Sequence, residues 1–336
     1  MDEGRLTWIF GSSRSGSTWL LRMLSDLEGV VPIDDPHLGH HLGVWRPIPL
    51  AWASADGDLP NLTTLLDLKA EEPSYFFSKL HRESWRQPLR DLILARFAAQ
   101  ATEFDLDSHE ATYVVKEPGS QAASLLADLF PESKLIFLLR DGRDVVDSWL
   151  AGYRDGGWAI PGGAFPVARD GRIALIRWLS AVWVYRSRAV HAAFAKRLPV
   201  SRVLVRYETL RARTAETLVG VCELLERDQR RAGEIAERHS FERVPRAVRG
   251  PEMRERIARP GAWRDNLTVD EQAAMHEVLG DALVEFGYDP ACAPEAGLAG
   301  PLSKSRSALG DAWTAVADFA SASVPSRLTS AVTDIG

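Results

Sequence analysis

The chain reads as an α/β protein, a three-layer αβα arrangement with a central parallel sheet. Three features predict it. Short apolar strands alternate with stretches of helical periodicity, each strand ends in polar or glycine turn residues, and the strands are apolar on both faces. Strands of that kind are covered by helices on both sides. The first is Leu6–Phe10, closed by Gly11-Ser12-Ser13. Residues 17–27 follow with Trp19, Leu20, Met23, Leu24 and Leu27 at helix spacing. Residues 113–115 form a second strand with a helical stretch at 122–130. Lys134–Leu139 is a third, followed by residues 145–150, and residues 202–205 are a fourth, before the helix Thr214–Leu225.

Composition bounds the function. The 336 residues are 46% hydrophobic and 26% charged, enough for a sizeable core, and residues 1–290 read as one domain. A formal charge of −6 excludes a general nucleic-acid binder, whose affinity comes from neutralised phosphates. Cys222 and Cys292 have neither disulfide-framework nor metal-ligand spacing. The start Met1-Asp2-Glu3-Gly4-Arg5 lacks an apolar signal region, and no apolar run reaches membrane-spanning length. The expectation is a cytoplasmic protein without a transmembrane segment.

Residues 36–75 and 152–170 are rich in proline, glycine and tryptophan, and loops of this length serve as lids or binding segments. Beyond residue 290 the composition turns to Ala, Ser, Gly and Pro. Leu309, Trp313, Val316 and Phe319 there suit one amphipathic helix, either docked on its own domain or used for a partner such as a second copy.

The loop Gly11-Ser12-Ser13-Arg14-Ser15-Gly16 lies between a strand and a helix, with its glycines spaced as in a P-loop. Glycines let the backbone curl so that successive N–H groups point inward, and the helix N-terminus adds partial positive charge. Ser15, Ser17 and Thr18 add hydroxyls. A nucleoside-triphosphatase loop carries lysine directly after the second glycine. Here that position is Ser17, and the cation is Arg14 within the loop. A P-loop kinase, or a nucleotide-binding module without catalysis, is the alternative reading.

Arg14-Ser15-Gly16-Ser17-Thr18-Trp19 resembles the phosphosulfate loop of sulfotransferases that use PAPS (3′-phosphoadenosine 5′-phosphosulfate), with Ser13 in place of the usual proline. Three further matches follow in the family's order. Arg140 at a strand end and Ser148 eight residues on resemble the 3′-phosphate signature; a guanidinium and a hydroxyl so placed can jointly grip a phosphate. Lys116 ends a strand 24 residues before Arg140, as the family's strand-end lysine does. Residues 259–268 resemble its C-terminal Gly-x-Trp element, which leaves Arg256 or Arg259 as the phosphate-binding arginine. Tyr207-Glu208 resembles the pair whose tyrosine lies near adenine, and Phe241 the aromatic that sandwiches the base against Trp19. The resemblance implies a P-loop-containing fold, PAPS as co-substrate, no metal, and a hydroxyl or amine acceptor that is small or lipid-like. Trp45, Trp52, Trp85 and Trp158 are candidates to line the acceptor pocket.

Transfer requires a proton acceptor, a match for charge on the sulfonyl oxygens and a stabilised leaving phosphate. Arg14 and Lys116 suit the last two. Vertebrate-type members carry histidine two residues after the strand-end lysine, and this chain has Pro118. Other branches use a glutamate about 21 residues after the loop cation, which points to Asp35 as the base. Glu117, His37, His41 and His81 remain alternatives.

Overall fold

Five strands form the sheet: β1 (Leu6–Phe10), β2 (Val30–Asp34), β3 (Thr112–Lys116), β4 (Lys134–Leu139) and β5 (Arg202–Arg206). They hydrogen-bond in the order β2-β3-β1-β4-β5, with every neighbouring pair parallel. The structure, a computed structural model, describes residues 2–45, 62–153, 169–240 and 259–290. Trp52, Trp158, Phe241, Arg256 and residues 291–336 lie outside the described residues, as do parts of 36–75 and 152–170.

The helices are α1 (Ser17–Leu24), α2 (Leu38–Leu42), α3 (Leu65–Lys69), α4 (Arg82–Gln100), α5 (Ala123–Leu129), α6 (Gly142–Tyr153), α7 (Arg169–Ala195), α8 (Tyr207–Ala212), α9 (Thr214–Leu225), α10 (Ala232–Arg238), α11 (Trp263–Asn266) and α12 (Val269–Glu285). The described residues fall into two compact units. The first holds the whole sheet, with residues 183–195 of α7; the second holds residues 142–182 and 261–290 as far as they are described.

In the first unit, alternation along each strand builds two cores. Ile9, Val114, Ile136, Leu138 and Val205 point to one face and bury against Leu20 and Leu24 of α1 and Leu218, Val221 and Leu225 of α9. On the other face Trp8 stacks on Phe10 at 5.5 Å, and meets Phe130 at 5.7 Å and Phe97 of α4 at 6.0 Å. Phe137 meets Phe194 of α7 at 6.0 Å. Each fully buried side chain of this size contributes about 1.5–3 kcal/mol relative to exposure. The predicted three-layer αβα arrangement is the one observed.

Three elements differ from the sequence reading, two of them for a plain physical reason. Strand β2 was not foreseen, because Val30-Val31-Pro32-Ile33-Asp34 contains a proline that cannot donate to a ladder. It is tolerated because β2 is an edge strand, paired only with β3. Helix α1 stops at Leu24, short of residue 27. Helix α4 was hidden by its sparse apolar stripe, since only Trp85, Ile93 and Phe97 of its 19 residues are buried.

In the second unit, residues 261–266 hang from α6. Asp144 accepts from the amides of Gly261 at 2.8 Å and Trp263 at 3.4 Å, and Asp147 accepts from Asn266 at 2.9 Å. The guanidinium of Arg143 lies 4.7 Å from the Trp263 ring centroid. Those acidic residues therefore have a structural task that their motif context did not reveal.

Candidate active site

Strand β1 lies between β3 and β4, so the loop that leaves it is flanked by their carboxyl ends, where α/β sheets bind ligands. Lys116 ends β3 on one side, and Arg140 follows β4 on the other. Arg14 and Gly16 both have left-handed backbone, with φ of 74° and 91°. Gly16 is required twice over, since a Cβ there would also sit 2.6 Å from the Tyr207 ring. Left-handed geometry at Arg14 costs on the order of 1 kcal/mol. Arg140 Nη1 donates to the Arg14 carbonyl at 2.9 Å and fixes the curl.

Ser12 and Ser15 are 3% and 1% exposed, yet neither hydroxyl has a hydrogen-bond partner among the described residues. A buried hydroxyl left unsatisfied costs about 1–3 kcal/mol. Two of them in a curled loop at the start of α1 suit the oxygens of a bound phosphate or sulfate ester.

Lys116 is buried and its ammonium is fully engaged. It donates to Thr18 Oγ1 at 2.8 Å and pairs with Asp34 at 2.5 Å and Asp35 at 3.0 Å. Those are three acceptors for three N–H donors. The register explains the meeting: Asp34 lies level with Lys116 in the ladder, and the Asp35 amide donates to the Lys116 carbonyl at 3.1 Å. Asp35 then turns the chain with φ of 50°.

Beyond Asp35, α2 runs against the segment leaving β3. Gly39 and Gly119 approach backbone to backbone, with no room for a side chain on either. Glu117 is buried there and accepts from the Gly119 amide at 2.6 Å. Burial pushes its carboxyl up to about 7, opposed by the amides of Gly119, Gly39 and Leu38 and reinforced by the charge of Asp35. His40 is pushed down to about 4, first by burial and then by Arg186, His37 and His41, with Asp35 opposing. Its neutral ring takes a hydrogen bond from Gln121 at Nδ1, at 3.1 Å. His37 and His41 are exposed. His81 lies in a different place, an apolar surface cleft of about 640 Å³ shared with Phe76, Phe77 and Trp85.

Arg140 is 7% exposed and its guanidinium lies 4.3 Å from the centroid of Tyr207, itself fully buried. Trp19 meets Tyr207 edge-on at 6.3 Å and donates from Nε1 to the His239 carbonyl at 3.0 Å. Ser17 is half-buried at the first position of α1. Glu208 accepts from the Asp141 amide at 3.0 Å.

The first unit thus brings together the loop, Lys116, Asp35, Glu117, Arg140, Tyr207 and Trp19. Ser148 belongs to α6 in the second unit and is half-buried, and Arg259 is exposed. Sequence reasoning passed over the Asp34–Lys116 pair, His40 and Arg186, whose Nη1 donates to Ser13 Oγ at 3.2 Å. The lone signal for Arg186 was an arginine inside a stretch that otherwise buries Trp183, Ser187 and Val190.

Among the described residues no group of His, Cys, Asp or Glu is arranged to hold a metal ion, and no helix is long and apolar enough to cross a membrane. No curated protein matches the chain in sequence. Solved structures similar to it include the sulfotransferase domain of the Synechococcus PCC 7002 olefin synthase, at 18% identity and a TM-score of 0.47, over 84% of this chain and 94% of that one. Mouse sulfotransferase SULT7A1, solved with PAP, is 11% identical over 85% of each chain with a TM-score of 0.46. Sulfotransferase STF9 from Mycobacterium avium is 13% identical over 86% and 78%, with a TM-score of 0.45. The sequence-family comparison decides the matter: residues 7–230, from the first strand to beyond α9, match the model of the Sulfotransferase family, and the chain belongs to that family.

Proposed function

We propose that the chain moves the sulfonate group of PAPS to a hydroxyl or amine of a small or lipid-like acceptor and releases PAP, the 3′,5′-bisphosphate. The observation that carries this reading is the curled loop, with two buried, unsatisfied hydroxyls between a strand-end lysine and a strand-end arginine. Bound PAPS supplies an activated sulfonate on its 5′-phosphate. The acceptor oxygen or nitrogen bonds to sulfur as the bond from sulfur to the phosphate oxygen breaks, and the acceptor proton passes to a carboxylate.

Asp35 is our choice for that base. It sits at the carboxyl edge beside Lys116, whose ammonium touches both the loop hydroxyl of Thr18 and the acid. Ser12, Ser15, Ser17 and the loop amides receive the 5′ end, and Arg14 and Lys116 match charge on the leaving group. Arg140, stacked on Tyr207, takes the 3′-phosphate, with Ser148 and either Arg256 or Arg259 as further ligands. Trp19 and Phe241 hold the base, with Tyr207 beneath. For the acceptor, Trp45 packs on Tyr185 at 4.8 Å, and the Tyr185 hydroxyl is anchored on Asp67 at 2.9 Å. That aromatic pair favours an apolar or ring-bearing acceptor.

A thermal-shift comparison tests the donor. PAP raises the melting temperature, whereas ATP with Mg²⁺ does not; stabilisation by ATP–Mg²⁺ alone would point to a kinase instead. Incubation with sulfur-labelled PAPS and a fractionated metabolite extract then identifies the acceptor through its labelled product.

A further inference from the structure

We propose that Arg186, on α7, contacts the transferable sulfonate of the bound donor; the assignment rests on the PAPS reading above. Arg14 and Lys116 were together the expected match for the sulfonyl oxygens and the leaving phosphate, but the three N–H bonds of Lys116 go to Thr18, Asp34 and Asp35. One lysine between two carboxylates leaves that corner with a net negative charge, unfavourable for an incoming sulfonate. Besides Arg14 of the loop, a further cation would offset that charge.

Arg186 is placed to be that cation. It is 7% exposed, so its charge acts in a poorly solvated setting where an anion is attracted strongly. Its Nη1 donates to Ser13 Oγ at 3.2 Å, which fixes the guanidinium beside the residue that precedes Arg14. The charges of Arg186 and Asp35 both reach the His40 imidazole, with opposite effects on it. A sulfonate at the loop would therefore have a guanidinium held beside it through Ser13. The planar fork of arginine suits the geometry of sulfonyl oxygens as it suits phosphate.

PAP lacks the sulfonate and PAPS has it, so the difference in their affinities isolates the contact without any acceptor. The full chain, Arg186→Gln and Arg186→Lys are titrated with PAP and with PAPS by calorimetry, after their melting curves are recorded. For Arg186→Gln, PAP affinity should stay within about twofold while PAPS affinity falls about tenfold to a hundredfold, the range of a charge-assisted hydrogen bond. Arg186→Lys keeps the charge without the fork and should lie between; it carries the same comparison if the glutamine variant does not fold. Equal losses for both nucleotides would show that Arg186 only braces the loop through Ser13, and unchanged PAPS affinity would turn it towards the acceptor; either overturns the proposal. If the unaltered chain binds neither nucleotide, the donor reading itself fails and this inference with it.

Discussion

Asp34 and Asp35 both pair with Lys116, and that makes them a controlled test of the base. If a carboxylate is needed only as a counterion, the two asparagine variants should behave alike. The Asp34 side chain is 57% exposed, so its ion pair is largely solvated. Pairs of that kind contribute about 0.2–1 kcal/mol, so Asp34→Asn should change turnover by no more than about fivefold. A positioned general base contributes about 10²–10⁴-fold, and Asp35→Asn should lose at least the lower figure. The predicted separation is therefore roughly twentyfold or more, with PAP affinity similar in both variants. Initial rates should be measured with an alkyl alcohol acceptor, because a phenol sheds its proton easily and would shrink the effect. Similar losses in the two variants would refute the argument. So would near-normal turnover in Asp35→Asn alongside a dead Glu117→Gln.

Arg140→Ala should weaken PAP about tenfold to a hundredfold, from a contact of about 1.5–3 kcal/mol, and weaken adenosine 5′-phosphosulfate far less; equal losses would move Arg140 away from the 3′-phosphate. Lys116→Ala should lower turnover with PAP affinity nearly intact, because its contacts are with Thr18 and two acids; a large rise in the PAP dissociation constant would make it a ground-state anchor. Gly16→Ala forces a Cβ against Tyr207 at left-handed φ, so the melting temperature and PAP affinity should both fall, with strain of about 1–3 kcal/mol; an unchanged melting curve would contradict the loop geometry. Glu117 has a folded value near 7, above its unfolded 4.5, so the native state binds more protons in that window and stability drops as pH rises through it. Glu117→Gln should remove that slope from a melting series between pH 5 and 8, and an unaltered slope would sink the assignment. His40 works in the opposite sense: its folded value lies below the unfolded one, so its contribution is lost as pH falls from about 6.5 to 4.

Much of the first unit was legible because local chemistry dictated it. Leu6–Phe10 and Lys134–Leu139 are apolar runs closed by turn residues, and they form strands with those same bounds. The loop could be read because its glycines and hydroxyls are adjacent in sequence. Strand β2 was not legible, since Pro32 breaks the local strand signal and only its edge position excuses it. Helix α3 carried a readable sign that was passed over: Thr64 and Asp67 form a capping box at its start. Arg186 lies 173 residues from Ser13, and no spacing rule reaches across that interval. Contacts that long are set by the sheet order and by the packing of α7, which only coordinates supply.

The sheet order also bears on why the acid of this chain should come from β2. At residue 118, the position at which the resemblance to vertebrate-type members implies a histidine, stands proline, and Gly119 follows with its backbone against Gly39. That approach requires both glycines and fills the ground above β3 with the start of α2. The acid that does leave β3, Glu117, is buried beneath α2 among the amides of Gly119, Gly39 and Leu38. Strand β2 offers another route: its last residue is level with Lys116 in the ladder, so the next residue emerges at the carboxyl edge with a hydrogen bond to the Lys116 carbonyl. The left-handed turn at Asp35 then brings its carboxylate back to the lysine ammonium at 3.0 Å. The edge strand with the unpromising proline and the close glycine contact are thus parts of one arrangement, which under this proposal would move the base from the strand carrying the lysine to its neighbour. Replacing Gly119 with alanine drives a Cβ into the Gly39 backbone and should disturb Asp35 through α2. Because the neighbouring Ser120 hydroxyl is bonded to Gly11 at the head of the loop, turnover and PAP affinity should fall together.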